Sequence, residues 1–345
     1  MGDNWQMNRR ILCVPTAGHI RRVFSRRTLE RLKRKFSVTF NERGGDYTSD
    51  ELAAVIKGHD GLITGWGSPR LTAAVFRNAD CLRIIAHSAG SVKFMLSREV
   101  VKRYVLPKRI CVCNAAQAIA YNVAEATIGL LIMASRRFLD HVESTRRKAM
   151  WRDPSIPLDV QTLNGSTLGI VSASTVGREV IRLLKPFDAK VLLYDPYVSR
   201  KEAERLGATK TGLEELFRRS DFVTVHAPLT RETVHMIRRR HLKALRDGAI
   251  LVNTSRGKVI DQDALLEECA TGRITAVLDV TDPEPLPADS PLRKLRNVLI
   301  TPHVTGAGIY GYHMIGDLTL KALEDFFGGR RVANAVNLRD YEILA

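Results

Sequence analysis

Cysteine is scarce and odd in number. The five residues Cys13, Cys81, Cys111, Cys113 and Cys269 are scattered over 345 positions, which excludes a disulfide framework of the kind that staples small secreted domains. Cys111 and Cys113 stand two apart, on one face if their segment is a strand. No second pair or histidine cluster accompanies them, so they read as buried reduced thiols and no metal site is implied. Long hydrophobic runs are missing as well. The longest purely apolar stretches, such as 128–134, fall far short of the ~20 residues that span a bilayer. Arg9 and Arg10 precede Ile11–Val14, but four apolar residues closed by Pro15 are too few for a signal-peptide core. A cytoplasmic chain with no membrane partner is expected. Aromatic residues are few, at 6%.

Apolar residues nonetheless make up 45% of the chain, enough to bury a sizeable core, and the length suits two ordinary domains. The formal charge is +16, and residues 1–35 hold ten Arg or Lys against Asp3 and Glu30, half of that excess. A nucleic-acid footprint would interleave aromatics or carry a reading element, and this stretch shows neither. It reads as a solvated basic face, with nucleic-acid binding no more than weak and non-specific.

Short β-rich runs alternate with helical patterns almost throughout. In the first part the strands read 11–15, 38–40, 61–64, 82–86 and 110–113, and Thr48-Ser49-Asp50-Glu51 has capping-box spacing. A long amphipathic stretch covers about 121–147, followed by an irregular, Pro-containing arm over 151–164. Six strands follow at 167–171, 190–195, 222–227, 249–253, 276–280 and 298–301, rich in Val, Ile and Leu. Near-continuous apolar strands separated by helices describe a parallel sheet covered on both faces, and six of them match a doubly wound, Rossmann-type α/β domain. A final helix is expected over about 308–327.

If 167–195 is the first strand-helix-strand unit, a Gly-x-Gly-x-x-Gly loop should close the first strand. Ser172-Ala173-Ser174-Thr175-Val176-Gly177 stands there instead, and only the third glycine remains. The context is otherwise right, with Asp195 ending the next strand 18 residues beyond Gly177, where an acid binds the ribose hydroxyls. A Cβ at Ser174 pushes a pyrophosphate outward, while its hydroxyl can donate to a phosphate oxygen beside the free N–H groups of the helix start. An acid at 195 repels a 2′-phosphate, so NAD is expected rather than NADP, although Arg200 lies close by.

Four further motifs follow in order: Thr224-Val225-His226-Ala227-Pro228, Asn253-Thr254-Ser255-Arg256-Gly257, Asp279-Val280-Thr281-Asp282-Pro283-Glu284-Pro285 and Thr301-Pro302-His303. The series resembles the D-2-hydroxyacid dehydrogenases, and the reduction of a 2-oxo acid that this implies needs a cation for the carboxylate, which Arg256 can supply as a bidentate fork. It also needs an acid near neutrality for the developing alkoxide, which His303 can be. A carboxylate such as Glu284 steadies that ring and favours its charged form. The resemblance covers roughly residues 60–328 and is most specific over 222–303.

The resemblance implies catalytic roles for Arg256, Glu284 and His303. It implies cofactor binding by Ser174, Thr175, Val176, Gly177 and Asp195, contact of Asp279 with the nicotinamide carboxamide, Thr254 and Pro228 lining the cleft, and His226 beside the adenine. Ala89 and Gly90, in Ser88-Ala89-Gly90-Ser91, stand where the family holds the substrate carboxylate on backbone N–H groups. Val92 and Lys93 depart from its Asp and Asn, and Lys93 reads as solvated; Trp66 fits either a pocket wall or ordinary core. Formate dehydrogenases, of the same ancestry, carry Gln where this chain has Glu284.

The implied architecture is a flavodoxin-like substrate domain, 1–113 completed by 306–345, and an NAD-binding domain, 114–305. The helix from Tyr121 and the arm at 151–164 resemble the family's homodimer contact. The little chain beyond 328 implies none of the regulatory extension of long phosphoglycerate dehydrogenases. The expected function is NAD(H)-dependent interconversion of a small 2-oxo acid and its D-2-hydroxy acid. The alternatives are an NAD(H)-sensing, co-repressor-like binding protein and an inactive homologue with an altered phosphate loop.

Overall fold

The computed structural model describes residues 9–343. They form two compact units, one of the residues up to Ile119 together with those from Ala307 onward, the other of Ala120–Gly306. The sequence places the first boundary after Cys113. The division falls later because Ala115, Ala118 and Ile119 pack into the core of the first unit.

In that unit β1 (Arg10–Cys13), β2 (Ser37–Phe40), β3 (Gly61–Thr64), β4 (Ile84–His87) and β5 (Cys111–Asn114) form one sheet in the order β2-β1-β3-β4-β5. All its pairings are parallel. This is the flavodoxin-like order, with its switch point between β1 and β3. Helices cover both faces. Thr48 and Glu51 form the capping box that starts helix Ser49–Val55. Helix Ile309–Phe327 lies against helix Ala17–Val23, which is possible because a Cβ on Gly316 would sit 2.4 Å from the Val23 carbonyl oxygen. The basic helix Arg26–Lys35 buries Leu32, and its Arg31 forks onto Glu324 through two bonds of 2.7 Å. Part of that basic face therefore serves the fold rather than facing solvent alone. Cys111 and Cys113 pack on the same face of β5 as unpaired thiols.

In the second unit seven strands align in parallel: β6 (Thr167–Val171), β7 (Lys190–Tyr194), β8 (Thr209–Lys210), β9 (Phe222–Val225), β10 (Ile250–Asn253), β11 (Thr275–Leu278) and β12 (Val298–Ile300). Their order is β12-β11-β10-β9-β6-β7-β8. The switch point lies between β6 and β9, as in doubly wound dinucleotide-binding sheets. β9 and β10 are buried over their whole length, so their Val, Ile, Leu and Phe side chains each contribute roughly 1.5–3 kcal/mol. β8, two residues on the edge of the sheet, is absent from the sequence reading because Thr209 and Lys210 carry no apolar pattern.

The long helical stretch is two helices, Ala116–Ser135 and Phe138–Arg147, broken where Arg137 takes a left-handed backbone at φ 51°. The first is long and apolar enough to cross a membrane, which short apolar runs do not register. Half of that stretch is buried, with Ala124 and Leu131 in the core of the second unit, as in the core helices of α/β proteins. The irregular arm is tied down by Asp153, which accepts from Ser144, Lys148 and Ser155.

Candidate active site

β6 ends in a turn that does without its first two glycines. Ser172 takes the left-handed backbone that glycine would favour, at φ 78°. It is held there from the next strand: its hydroxyl and the Ala173 N–H both donate to Asp195 Oδ2, at 3.2 and 2.9 Å. Ser174 is the N-cap of helix Thr175–Leu184, accepting from Gly177 N at 3.3 Å. Gly177 has no substitute, since a Cβ there would meet the Ser172 carbonyl oxygen at 2.1 Å. Among the described residues nothing accepts from the backbone N–H groups of Ser174, Thr175 and Val176, which leaves the helix N-terminus open to an anion. The loop fits a dinucleotide pyrophosphate. Asp195 is buried and serves the loop itself, a part the sequence did not assign to it.

His226 is also buried, with Nε2 2.9 Å from the Thr224 hydroxyl and Nδ1 3.5 Å from that of Thr254. Burial lowers its pKa to about 3, so the ring is neutral. At 4% exposure it offers a nucleotide little surface. What it fixes is Thr254, whose hydroxyl also lies 3.3 Å from that of Thr127. Pro228 is half-buried, and its carbonyl accepts from Thr233.

After β10 the Asn253 side chain knits the turn. Its Oδ1 accepts from the Ser255 N–H and hydroxyl at 3.1 and 2.8 Å, and its Nδ2 donates to the Arg256 carbonyl. Arg256 is thereby presented at the surface with one N–H committed, to the Ser255 carbonyl at 2.6 Å. Asp261, which could have paired with it, instead caps helix Gln262–Ala270. Gly257 admits the neighbouring loop, for a Cβ would lie 2.0 Å from the Thr281 carbonyl oxygen. Gln262 then grips that loop by donating to the Asp282 carbonyl and accepting from its N–H.

The loop after β11 carries Glu284 and the loop after β12 carries His303. Glu284 Oε1 lies 2.6 Å from His303 Nδ1, with both side chains close to half exposed. An ionised carboxylate only accepts, so Nδ1 carries the hydrogen and Nε2 is left for proton exchange. Asp279, 1% exposed, holds the His303 loop from beneath. Its Oδ1 accepts from the Thr301 hydroxyl and Val304 N–H, its Oδ2 from the Thr305 N–H and hydroxyl, and its carbonyl from His303 N–H. Its two oxygens thus accept four bonds from the loop that carries His303. Asp279→Asn turns one of these oxygens into a donor facing donors. It should cost about 1–3 kcal/mol of stability, and a fall in Tm with a drop in kcat checks it.

In the first unit β4 leads into Ser88-Ala89-Gly90-Ser91. Among the described residues nothing accepts from the N–H groups of Ala89, Gly90 and Ser91, and successive free amides of this kind make an anion nest. Ser88 fixes the turn: its hydroxyl donates to the Thr64 carbonyl at 2.6 Å and accepts from His19 Nε2 at 2.8 Å. Burial, with Arg22 adding to it, lowers the His19 pKa to about 4. Trp66 is 40% exposed and lies edge-on to His19 and Tyr312. Val92 is core, and the Lys93 ammonium lies 6.0 Å from the Tyr341 ring centroid rather than standing in solvent.

Residues 128–305 match the D-isomer specific 2-hydroxyacid dehydrogenase NAD-binding domain. A glyoxylate reductase of Korarchaeum cryptofilum is 37% identical over 287 residues, 82% of this chain and 84% of that protein. The chain belongs to the D-isomer specific 2-hydroxyacid dehydrogenases. A D-3-phosphoglycerate dehydrogenase of Methanocaldococcus jannaschii is 32% identical over 84% of this chain but 54% of its own length, so the chain spans about half of that relative. A solved structure of a Thermus thermophilus protein superposes with a TM-score of 0.76 at 30% identity, covering 95% of this chain and 99% of that one. In this member of the family, the residues without an assigned role in the sequence analysis are the braces: Asn253 and Gln262, the Ser172 hydroxyl, and His19 behind Ser88. Asn253 lay inside a motif and could have been found; Gln262 and His19 carry no local signal.

Proposed function

We propose that this dehydrogenase reduces a small 2-oxo acid to its D-2-hydroxy acid with NADH, and catalyses the reverse reaction with NAD. The observation that carries the reading is the His303–Glu284 pair at 2.6 Å, in which Glu284 follows β11, the strand between those that lead to Arg256 and to His303. Arg256 binds the substrate carboxylate, and the amides of Ala89 and Gly90 are an anion site of the first unit by itself. His303 delivers a proton to the carbonyl oxygen as negative charge develops there, and Glu284 stabilises the imidazolium before the transfer. NADH, when bound, supplies the hydride. The helix start at Ser174–Gly177 would hold its pyrophosphate, and Thr254 and Pro228 would line its site. Glyoxylate, hydroxypyruvate and the oxidised form of phosphoglycerate are the substrate candidates, from the names of the relatives.

Asp195 supports NAD over NADP by repelling a 2′-phosphate. Homodimerisation is supported by apolar side chains on helix Phe138–Arg147 and the arm after it, with Phe138 48%, Val142 49%, Trp151 89% and Leu158 65% exposed. A cytoplasmic location remains the reading of the cysteine usage.

A panel of 2-oxo acids assayed with NADH and NADPH tests the function. Oxidation of NADH with at least one of them and a D product are expected. Absence of turnover by folded protein that binds NADH would overturn it in favour of a sensor.

The substituted loop gives a separate prediction. Ser174→Ala should cost about 1 kcal/mol of stability through the lost cap alone. Ser174→Asp keeps the cap but sets a carboxylate where the pyrophosphate is held, so NADH affinity should fall about tenfold or more with Tm nearly unchanged. Melting curves and calorimetric titration separate the two effects.

A further inference from the structure

β7 and β9 lie on either side of β6 in the sheet, so the loops that follow them flank the phosphate loop at the switch point, where doubly wound sheets take nucleotides. A side-chain bond joins those two loops: Tyr197 Oη donates to Glu232 Oε2 at 2.8 Å. Glu232 raises the pKa of the Tyr197 hydroxyl, which stays a donor well above neutral pH. The ring of Tyr197 is 67% exposed. No part of the catalytic assignment uses either residue.

The bond gains meaning from the state of Asp195. That carboxylate accepts from Tyr197 N at 2.8 Å on Oδ1 and from Ser172 and Ala173 on Oδ2, and it is only 7% exposed. A carboxylate offers about four acceptor positions, so about one is left, while a ribose presents two hydroxyls. Glu232 is exposed and uses one oxygen on Tyr197. Arg200 and Arg231 are the exposed cations nearest in sequence to the two loops, and the Arg178–Glu202 pair, at 2.6 Å, neutralises itself.

We propose that Glu232, held in place by Tyr197, is a second carboxylate of the adenosine site, accepting from a ribose hydroxyl and excluding a 2′-phosphate, and that the Tyr197–Glu232 bond straps the adenosine end of the bound dinucleotide. The proposal rests on the reading of this unit as the dinucleotide-binding one.

The test is calorimetric titration of NADH and NADPH into the full chain, Glu232→Gln and Tyr197→Phe, with dissociation of NADH followed by stopped flow. Glu232→Gln keeps an acceptor for Tyr197 and removes the charge. The ratio of the NADPH Kd to the NADH Kd should fall about tenfold or more, the scale of one charged hydrogen bond. Tyr197→Phe keeps the ring and loses the strap, and the NADH dissociation rate should rise about tenfold. Both side chains are exposed, so melting temperatures should hold near that of the parent. A parent that binds NADH, with a cofactor ratio within about twofold of its own in Glu232→Gln and an unchanged dissociation rate in Tyr197→Phe, overturns the proposal. So does a ratio that moves with Arg200→Gln or Arg231→Gln and not with Glu232→Gln. A parent that binds neither dinucleotide overturns the cofactor reading itself.

Discussion

Replacing His303 with alanine should lower kcat by about 10²–10⁴, the usual contribution of a positioned proton donor, with the Kd for NADH close to that of the parent. The size of the effect follows from the geometry. Glu284 fixes the Nδ1 hydrogen at 2.6 Å, so the ring presents a single nitrogen for exchange. The other histidine carried by a motif of this unit cannot replace it: His226 is buried and neutral, with both ring nitrogens near threonine hydroxyls. His303→Gln, which can hydrogen-bond but not exchange a proton at neutral pH, should fail almost as badly and so separate proton transfer from simple polarisation of the carbonyl. Glu284→Gln should fall between the variants and the parent, because the ring keeps a partner but loses the charge that stabilises its imidazolium. Steady-state kinetics with NADH fluorescence titration checks all three. A near-normal kcat in His303→Ala would remove this residue from the chemistry.

The second large effect is expected at Arg256. Truncation to alanine removes two charged hydrogen bonds to a carboxylate, each worth about 1.5–3 kcal/mol, so kcat/KM should fall by about 10²–10⁴. The loss should appear largely in KM if the carboxylate is held equally in ground and transition states, and in kcat as well if Arg256 also orients the carbonyl. Arg256→Lys keeps the charge without the planar fork and should recover only part of the loss. One N–H of Arg256 is engaged by the Ser255 carbonyl, which sets the guanidinium plane in advance, and a lysine has no counterpart to that restraint. Cofactor affinity should not move in either variant.

Strands such as β3, β4, β9 and β10 were legible because they are buried over their whole length and are therefore rich in apolar residues, whereas the edge strand β8 carries no such pattern. The reacting groups were legible because Arg256, Glu284 and His303 each sit in a motif with its own chemistry. What escaped was non-local or carried no pattern. The break between the two long helices falls at Arg137 in a left-handed conformation, where a glycine would have announced it. The role of Asp279 depends on Thr301, Val304 and Thr305, more than twenty residues away in the chain. Ser172 stands where the loop pattern has a glycine, and its hydroxyl reaches across to Asp195, a contact that no spacing rule encodes.

His303 itself sits at φ 54°, in the left-handed region where a side chain is disfavoured by roughly 1–2 kcal/mol. The bonds to Asp279 hold the loop against that cost. A chain selected only to fold would favour glycine at this position and would be the more stable for it. Stability and catalysis thus pull in opposite directions at one residue, and variants selected for heat resistance alone would be drawn toward losing the imidazole first.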